Sequence, residues 1–211
     1  MLREVKVNLG TRSYPIYVGS GVLERLGPLL SSFRVGKKCL LVTNPEVYAH
    51  YGGLVERSLI GSGFKVIPIE VPSGERSKSL EMALKLYDVL IEEEFNRTST
   101  VVALGGGCVG DLAGFVAATY MRGLNLVQVP TTLLAQVDSA IGGKTAVNHP
   151  RAKNVIGVFY QPLFVLSDVK TLETLPLREV KSGFAEVVKY AVALDRGLFE
   201  FLNKEVAGCE D

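Results

Sequence analysis

The feature that most constrains this chain is a run of short strands that are apolar from end to end, each followed by a segment with helical spacing. Lys38–Thr43 (KCLLVT) is continuously apolar and stops at Asn44-Pro45. Helical spacing then covers Glu46–Ile60, a strand covers Phe64–Val71, a helix Leu80–Glu94, a strand Thr100–Leu104, a helix Val109–Met121, and a strand Leu126–Val129. A strand without a polar face is buried on both sides, and strands separated by helices run parallel. The pattern therefore predicts a doubly wound, Rossmann-like α/β domain. In front of it, Glu4–Leu9 and Tyr14–Val18 alternate with period two around Gly10–Ser13, which reads as a hairpin, and Val22–Phe33 has helical spacing.

Beyond Pro130 the texture changes. Val155–Tyr160 and Phe164–Leu166 are β-type pieces preceded by IGGKTAVNHP, and from Pro176 to about Leu202 the chain is strongly helical. We expect residues 1–175 to form the α/β domain and 176–211 to begin a helical second domain whose remainder is absent. Composition narrows the function classes. The formal net charge is +1, so no broad electrostatic field suggests nucleic acid or an anionic membrane. Neither a signal peptide nor a membrane span is legible. Cys39, Cys108 and Cys209 are widely spaced and lack a CxxC, which suggests reduced thiols in a cytoplasmic protein.

Chemistry concentrates in a few places. Gly105, Gly107 and Gly110 form a GxGxxG directly after a strand and at the opening of a helix, the context in which backbone N–H groups and a helix N-terminus face a diphosphate. The alternative is a turn built for helix–strand packing. No acid follows about 20 residues later to hold a ribose, so the usual dehydrogenase fingerprint is not met. Asn44, at the end of an earlier strand, is the substitute. Ser73, Gly74, Glu75, Arg76, Ser77 and Lys78 are either a polar wall for the nucleotide or a capped loop. Thr131 and Thr132 have hydroxyls free for capping or for a ligand. Asp138, Lys144, Asn148, Lys153 and Asn154 suit a phosphorylated or polyhydroxy acid, or else decorate a solvated hairpin. In the last helical stretch Val180, Phe184, Val187, Val188 and Ala191 make an apolar stripe, and Gly183, Glu186, Lys189 and Tyr190 share the neighbouring face. Glu186 beside Lys189 is an intrahelical ion pair or a metal ligand, with His50 and His149 the available imidazoles.

In this order the motifs LGGGCVGDLAGFVAATYMRG, VPTTLLAQVDSAIGGKTAVNHPRAKNVIGVFYQP and SGFAEVVKYA resemble the 3-dehydroquinate synthases, from the N-terminal hairpin to Asp211. The resemblance implies an NAD-dependent, metal-dependent lyase of the shikimate pathway. Such an enzyme converts 3-deoxy-D-arabino-heptulosonate 7-phosphate to 3-dehydroquinate and phosphate by transient oxidation, elimination, re-reduction and aldol closure. By the same resemblance the nucleotide would contact Asn44, Ser73 to Lys78, Gly106, Gly107, Cys108, Val109, Gly110, Thr131, Thr132, Lys144, Lys153 and Thr171, Leu172, Glu173 and Thr174. Asp138, Lys144, Asn154, Lys189 and Arg122 would hold substrate. Glu186 would be the carboxylate ligand of one divalent metal, zinc or else cobalt, its histidine partners lying in the absent domain. The implied partner is a small sugar acid phosphate, with no nucleic acid or membrane, and the implied assembly is a homodimer when complete. The alternatives are a related sugar phosphate cyclase, a polyol dehydrogenase, or an NAD-binding module without catalysis.

Overall fold

The computed structural model describes residues 1–207; Cys209 lies outside them. In chain order the elements are β1 (Arg3–Val7), β2 (Tyr14–Gly19), α1 (Leu26–Ser31), β3 (Lys38–Thr43), α2 (Pro45–Val47), α3 (Gly53–Gly61), β4 (Lys65–Glu70), α4 (Leu80–Glu92), β5 (Thr100–Gly105), α5 (Gly107–Thr119), β6 (Asn125–Pro130), β7 (Lys144–His149), β8 (Ala152–Phe159), β9 (Phe164–Asp168), α6 (Leu177–Ala193) and α7 (Arg196–Ala207). Seven strands form one sheet in the order β1-β2-β9-β6-β5-β3-β4, parallel throughout except for the β1–β2 hairpin.

The continuous apolar strands sort themselves into two cores by pleat parity. Leu40 and Val42 of β3, with Val101 and Ala103 of β5, pack against Ala83, Leu86 and Leu90 of α4 and against α5. Cys39 and Leu41, with Val102 and Leu104, face Leu26 and Leu30 of α1 and Val55 and Leu59 of α3. Each fully buried leucine contributes about 2 kcal/mol of apolar burial. Helices thus cover both faces, the doubly wound arrangement that the alternation predicted. Ser79 starts α4 by accepting from the Met82 N–H at 3.1 Å, the usual role of an N-cap hydroxyl.

Three differences from expectation matter for the site. The IGGKTAVNHP segment is itself a strand: β7 pairs antiparallel with β8 and lies on the outer side of α5. A Cβ on Gly114 would stand 2.4 Å from Thr145 Cγ2, so this close approach needs glycine. Helix α5, between sheet and hairpin, buries Val109, Leu112, Ala113, Phe115, Val116 and Ala117 and so has no polar stripe. Secondly, the span 45–61 contains a π-helical turn at Tyr48–Gly52, and the last helical stretch breaks after Ala193, where Asp195 caps the Leu198 N–H.

The third difference is the face that α6 buries. Of the apolar stripe, Phe184 and Val188 are each 41% exposed, whereas Gly183 and Ala191 are buried and Glu186, Val187 and Tyr190 are half-buried. The reason is Gly183. A Cβ there would lie 2.6 Å from Leu134 N, so the helix backbone rests directly on the turn at 133–134 and turns the glycine face inward.

Candidate functional site

Helix α5 begins where β5 ends, and β5 and β6 run side by side to Gly105 and Pro130. Its N-cap, Gly106, gives no side-chain cap, so the first N–H groups of a thirteen-residue helix point outward beside Thr131 and Thr132. None of Gly105, Gly106, Gly107 and Gly110 has positive φ. They are needed for space: added Cβ atoms would meet Val109, Thr132, Ser139 and Gln128 at 2.8 to 3.0 Å. The packing role of this motif is therefore real, and it coexists with an exposed helix terminus. Thr131 N donates to Gly105 O at 3.0 Å. The Thr131 hydroxyl is buried with no partner among the described residues, and so is that of Ser139. Thr132 Oγ1 accepts from Ala135 N. Asn44 Oδ1 is engaged as the cap of Val47 N at 2.9 Å, which leaves its amide nitrogen for a ligand.

The loop 73–78 joins this terminus to the hairpin. Lys78 is 4% exposed, and its ammonium donates to Asp111 Oδ2 at 2.5 Å and to Asn154 Oδ1. Asn154 sits in the left-handed region, φ 60°, and its N–H donates to Asn148 Oδ1. Asn148 Nδ2 in turn donates to Glu75 Oε2 at 2.6 Å, and Lys153 Nζ lies 4.0 Å from the same oxygen. Ser73 donates to Glu46, while Ser77 Oγ closes its own turn on Gly74 O. Arg76 is exposed. Asp111, unassigned from sequence, is the hub that reasoning on motifs missed; its signal was one carboxylate inside an otherwise apolar, glycine-rich stretch. Burial holds the Asp111 carboxyl above the usual carboxylate range, with Glu75 and Asp138 adding to the rise against Lys78. At Glu75 burial pushes the same way, but Asn148, Lys78, Lys153 and Cys108 outweigh it and the carboxyl ends low. The Cys108 thiol is pushed up to about 11 by burial and by Glu75.

Beside this network lies a cleft of about 460 Å³ lined by the polar side chains of Asp111, Asp138, Ser139, Lys144 and Asn154 and by the apolar ones of Val155, Val158 and Phe159. Asp138 belongs to a π-helical turn (Ala135–Ser139) and accepts from Tyr190 of α6 at 3.0 Å. Glu186 is paired with Lys189, whose hydrogen bond holds the carboxyl low. Burial, Asp138 and Glu186 hold the Tyr190 phenol high.

Some predicted members are not brought together. Arg122 follows the C-terminal end of α5 and precedes β6, so it stands at the opposite edge of the sheet from Gly106, in a left-handed turn with φ 64°. Thr171 is buried against Gln136, which bonds it at 3.1 Å, and Thr174 meets Tyr51 at 2.5 Å. Glu173 and Thr174 line a separate cleft with His50; Leu172 is half-buried. His149 is at the hairpin tip, its Nδ1 accepting from Arg151 N. Neither histidine completes a site with Glu186, and among the described residues no three His, Cys, Asp or Glu side chains converge as a metal would require. These residues alone do not fit a metal.

The 3-dehydroquinate synthase N-terminal model matches residues 68–182. The chain belongs to the 3-dehydroquinate synthase family. It is 57% identical over 205 residues to the 3-dehydroquinate synthase of Pelotomaculum thermopropionicum, covering 97% of this chain and 55% of that protein. The chain thus spans about half the length of the curated family members it matches. Among solved structures it is similar to the 2-epi-5-epi-valiolone synthase of Streptomyces hygroscopicus, with NAD+ and Zn2+ bound (TM-score 0.84, 29% identity, 96% of this chain and 56% of that one). It is also similar to a 2-deoxy-scyllo-inosose synthase complexed with carbaglucose-6-phosphate, NAD+ and Co2+ (TM-score 0.81, 31% identity, 89% of this chain and 50% of that one).

Proposed function

We propose that this chain is the nucleotide-binding part of a 3-dehydroquinate synthase, with the NAD diphosphate on the N-terminus of α5 and the sugar acid phosphate in the adjoining cleft. The observation that carries the reading is the Thr131 hydroxyl, buried and unpartnered among the described residues beside an uncapped helix terminus. A buried hydroxyl without a partner costs about 1–3 kcal/mol, and a ligand that accepts its hydrogen bond removes that cost. NAD, when bound, supplies a hydride acceptor and donor. The rest is done by this chain. Lys144 offers fixed positive charge to carboxylate or phosphate, and Asp138 and Asn154 offer polar contacts to substrate hydroxyls. Lys78 fixes Asp111 and Asn154 at the junction of the two ligands, and Val155, Val158 and Phe159 give the cleft an apolar lining. Because the donor set around Glu186 is incomplete, no step is assigned to a metal here. The reading extends to a cytoplasmic homodimer without nucleic acid or membrane partners, in keeping with a net charge of +1 and no helix long and apolar enough to cross a membrane.

Calorimetric titration of NAD into the purified chain tests the reading. Saturable binding that weakens in Thr131→Val and Gly107→Ala is expected; no binding at millimolar NAD would sink it. In the full-length protein, phosphate release from the heptulosonate phosphate without net NADH marks the cyclase, whereas a polyol dehydrogenase accumulates NADH. An NAD-binding module without catalysis would bind NAD but release no phosphate even in the full-length protein.

A further inference from the structure

Helix α6 carries the Glu186–Lys189 pair, and among the described residues one hydrogen bond joins it to the α/β body, from the Tyr190 hydroxyl to Asp138 Oδ1 at 3.0 Å. Its other contacts there are non-directional. Gly183 lies against Leu133 and Leu134, and Ala191 is buried. Contacts of that kind seat the glycine face of the helix on the turn but leave small rolls about that seat unopposed, because dispersion and apolar burial have no preferred angle. A short hydrogen bond to a carboxylate does have one. Tyr190 is also the side chain that reaches both halves of the arrangement: its hydroxyl is on Asp138, which lines the cleft, and Lys189 Nζ stands 4.8 Å from the centroid of its ring.

We propose that Tyr190 is a positioning residue whose hydroxyl, tethered to Asp138, sets the roll of α6 and thereby where Lys189 and Glu186 stand relative to the cleft. The ligand part of this inference rests on the functional reading above; the tether itself does not. The tyrosine ring alone would pack equally well as phenylalanine, so the hydroxyl is the group to remove.

The test is a double-mutant cycle of Tyr190→Phe and Asp138→Ala on the 211-residue chain, with two readouts. The first is amide exchange. Y190F should speed exchange along 183–191 about tenfold, the scale of one hydrogen bond to a charged acceptor, and leave α5 protected. The second is the affinity of the NAD-loaded chain for 6-phosphogluconate as a probe. Y190F should leave NAD affinity unchanged and weaken the probe about threefold or more, a split that loss of packing would not produce. In both readouts the double variant should match D138A alone, because the two residues form one interaction. Unchanged exchange and probe affinity in Y190F, or effects of the two changes that multiply, would overturn the proposal. A wild-type chain that takes up neither NAD nor probe overturns the functional reading, while the exchange cycle still decides the tether.

Discussion

Asp168 ends β9 at 2% exposure, and its carboxylate accepts the N–H groups of Gly21, Val22, Leu23 and Lys170 at 2.6 to 3.1 Å. One side chain thereby terminates two parallel strands, β2 and β9, and starts the turn that carries Thr171 to Thr174. Asp168→Ala strands the buried N–H groups of Val22 and Leu23, while those of Gly21 and Lys170 can turn to solvent, and we expect a loss of about 2–4 kcal/mol in the urea unfolding free energy, read at constant m-value. The thiols are a second single-residue case. Burial pushes Cys39 up to about 12, and burial with Glu75 pushes Cys108 to about 11, above the ordinary 9.0. The N-terminus of α5 would by itself lower Cys108, so burial wins there. In a Cys209→Ser background neither thiol should react quickly with a disulfide reagent at pH 8 until the chain is unfolded. The linkage sign follows: a thiol raised by folding contributes stability in full below about 9, lost as pH climbs through 11 to 12. Rapid labelling of Cys39 in the native state would contradict its burial.

Elements are fitted together here by small residues and one buried ion pair. Alanine is favoured over glycine inside a helix by about 1 kcal/mol, yet a Cβ on Gly183 would lie 2.6 Å from the backbone of Leu134. Overpacking of that kind costs about 1–3 kcal/mol, so Gly183→Ala should destabilise on balance and displace α6; a gain in melting temperature would show that the helix is not seated on the turn. Lys78 ties the loop before α4 to both α5 and β8. Lys78→Met leaves the half-buried Asp111 carboxylate without its cation, at a cost of about 1–3 kcal/mol. Exchange at the Asn148 and Asn154 amides should accelerate before that of the sheet, because the hairpin loses its anchor while the strands keep theirs.

At the scale of the whole molecule, the outer surface of the last two helices is unusually apolar: Leu177, Val192, Leu194 and Phe201 are all more than half exposed, and Phe159 of β8 is 71% exposed. Where such side chains adjoin, they make an apolar surface of a kind rare on a solitary soluble chain. The 211-residue chain should bind a hydrophobic dye, and Val192→Lys with Phe201→Lys should reduce that signal without lowering the melting temperature. Equal dye binding by the double variant would place the apolar surface elsewhere.

The sequence by itself determined the layered α/β plan, the strand order's raw material, and the place of the glycine turn between β5 and α5. Each of these is written in local periodicity: a strand apolar on both faces and a helix with one apolar stripe announce their burial within a dozen residues. It also determined the family, because long motifs in fixed order carry that information without any geometry. Only the tertiary structure decided that Lys78 serves Asp111 and Asn154, that α6 presents its glycine face inward, and that Arg122 stands at the far edge of the sheet. These depend on which distant segments meet. A charge, a glycine or a hydroxyl has no fixed meaning until the group opposite it is known, and periodicity along a chain does not encode what lies across it.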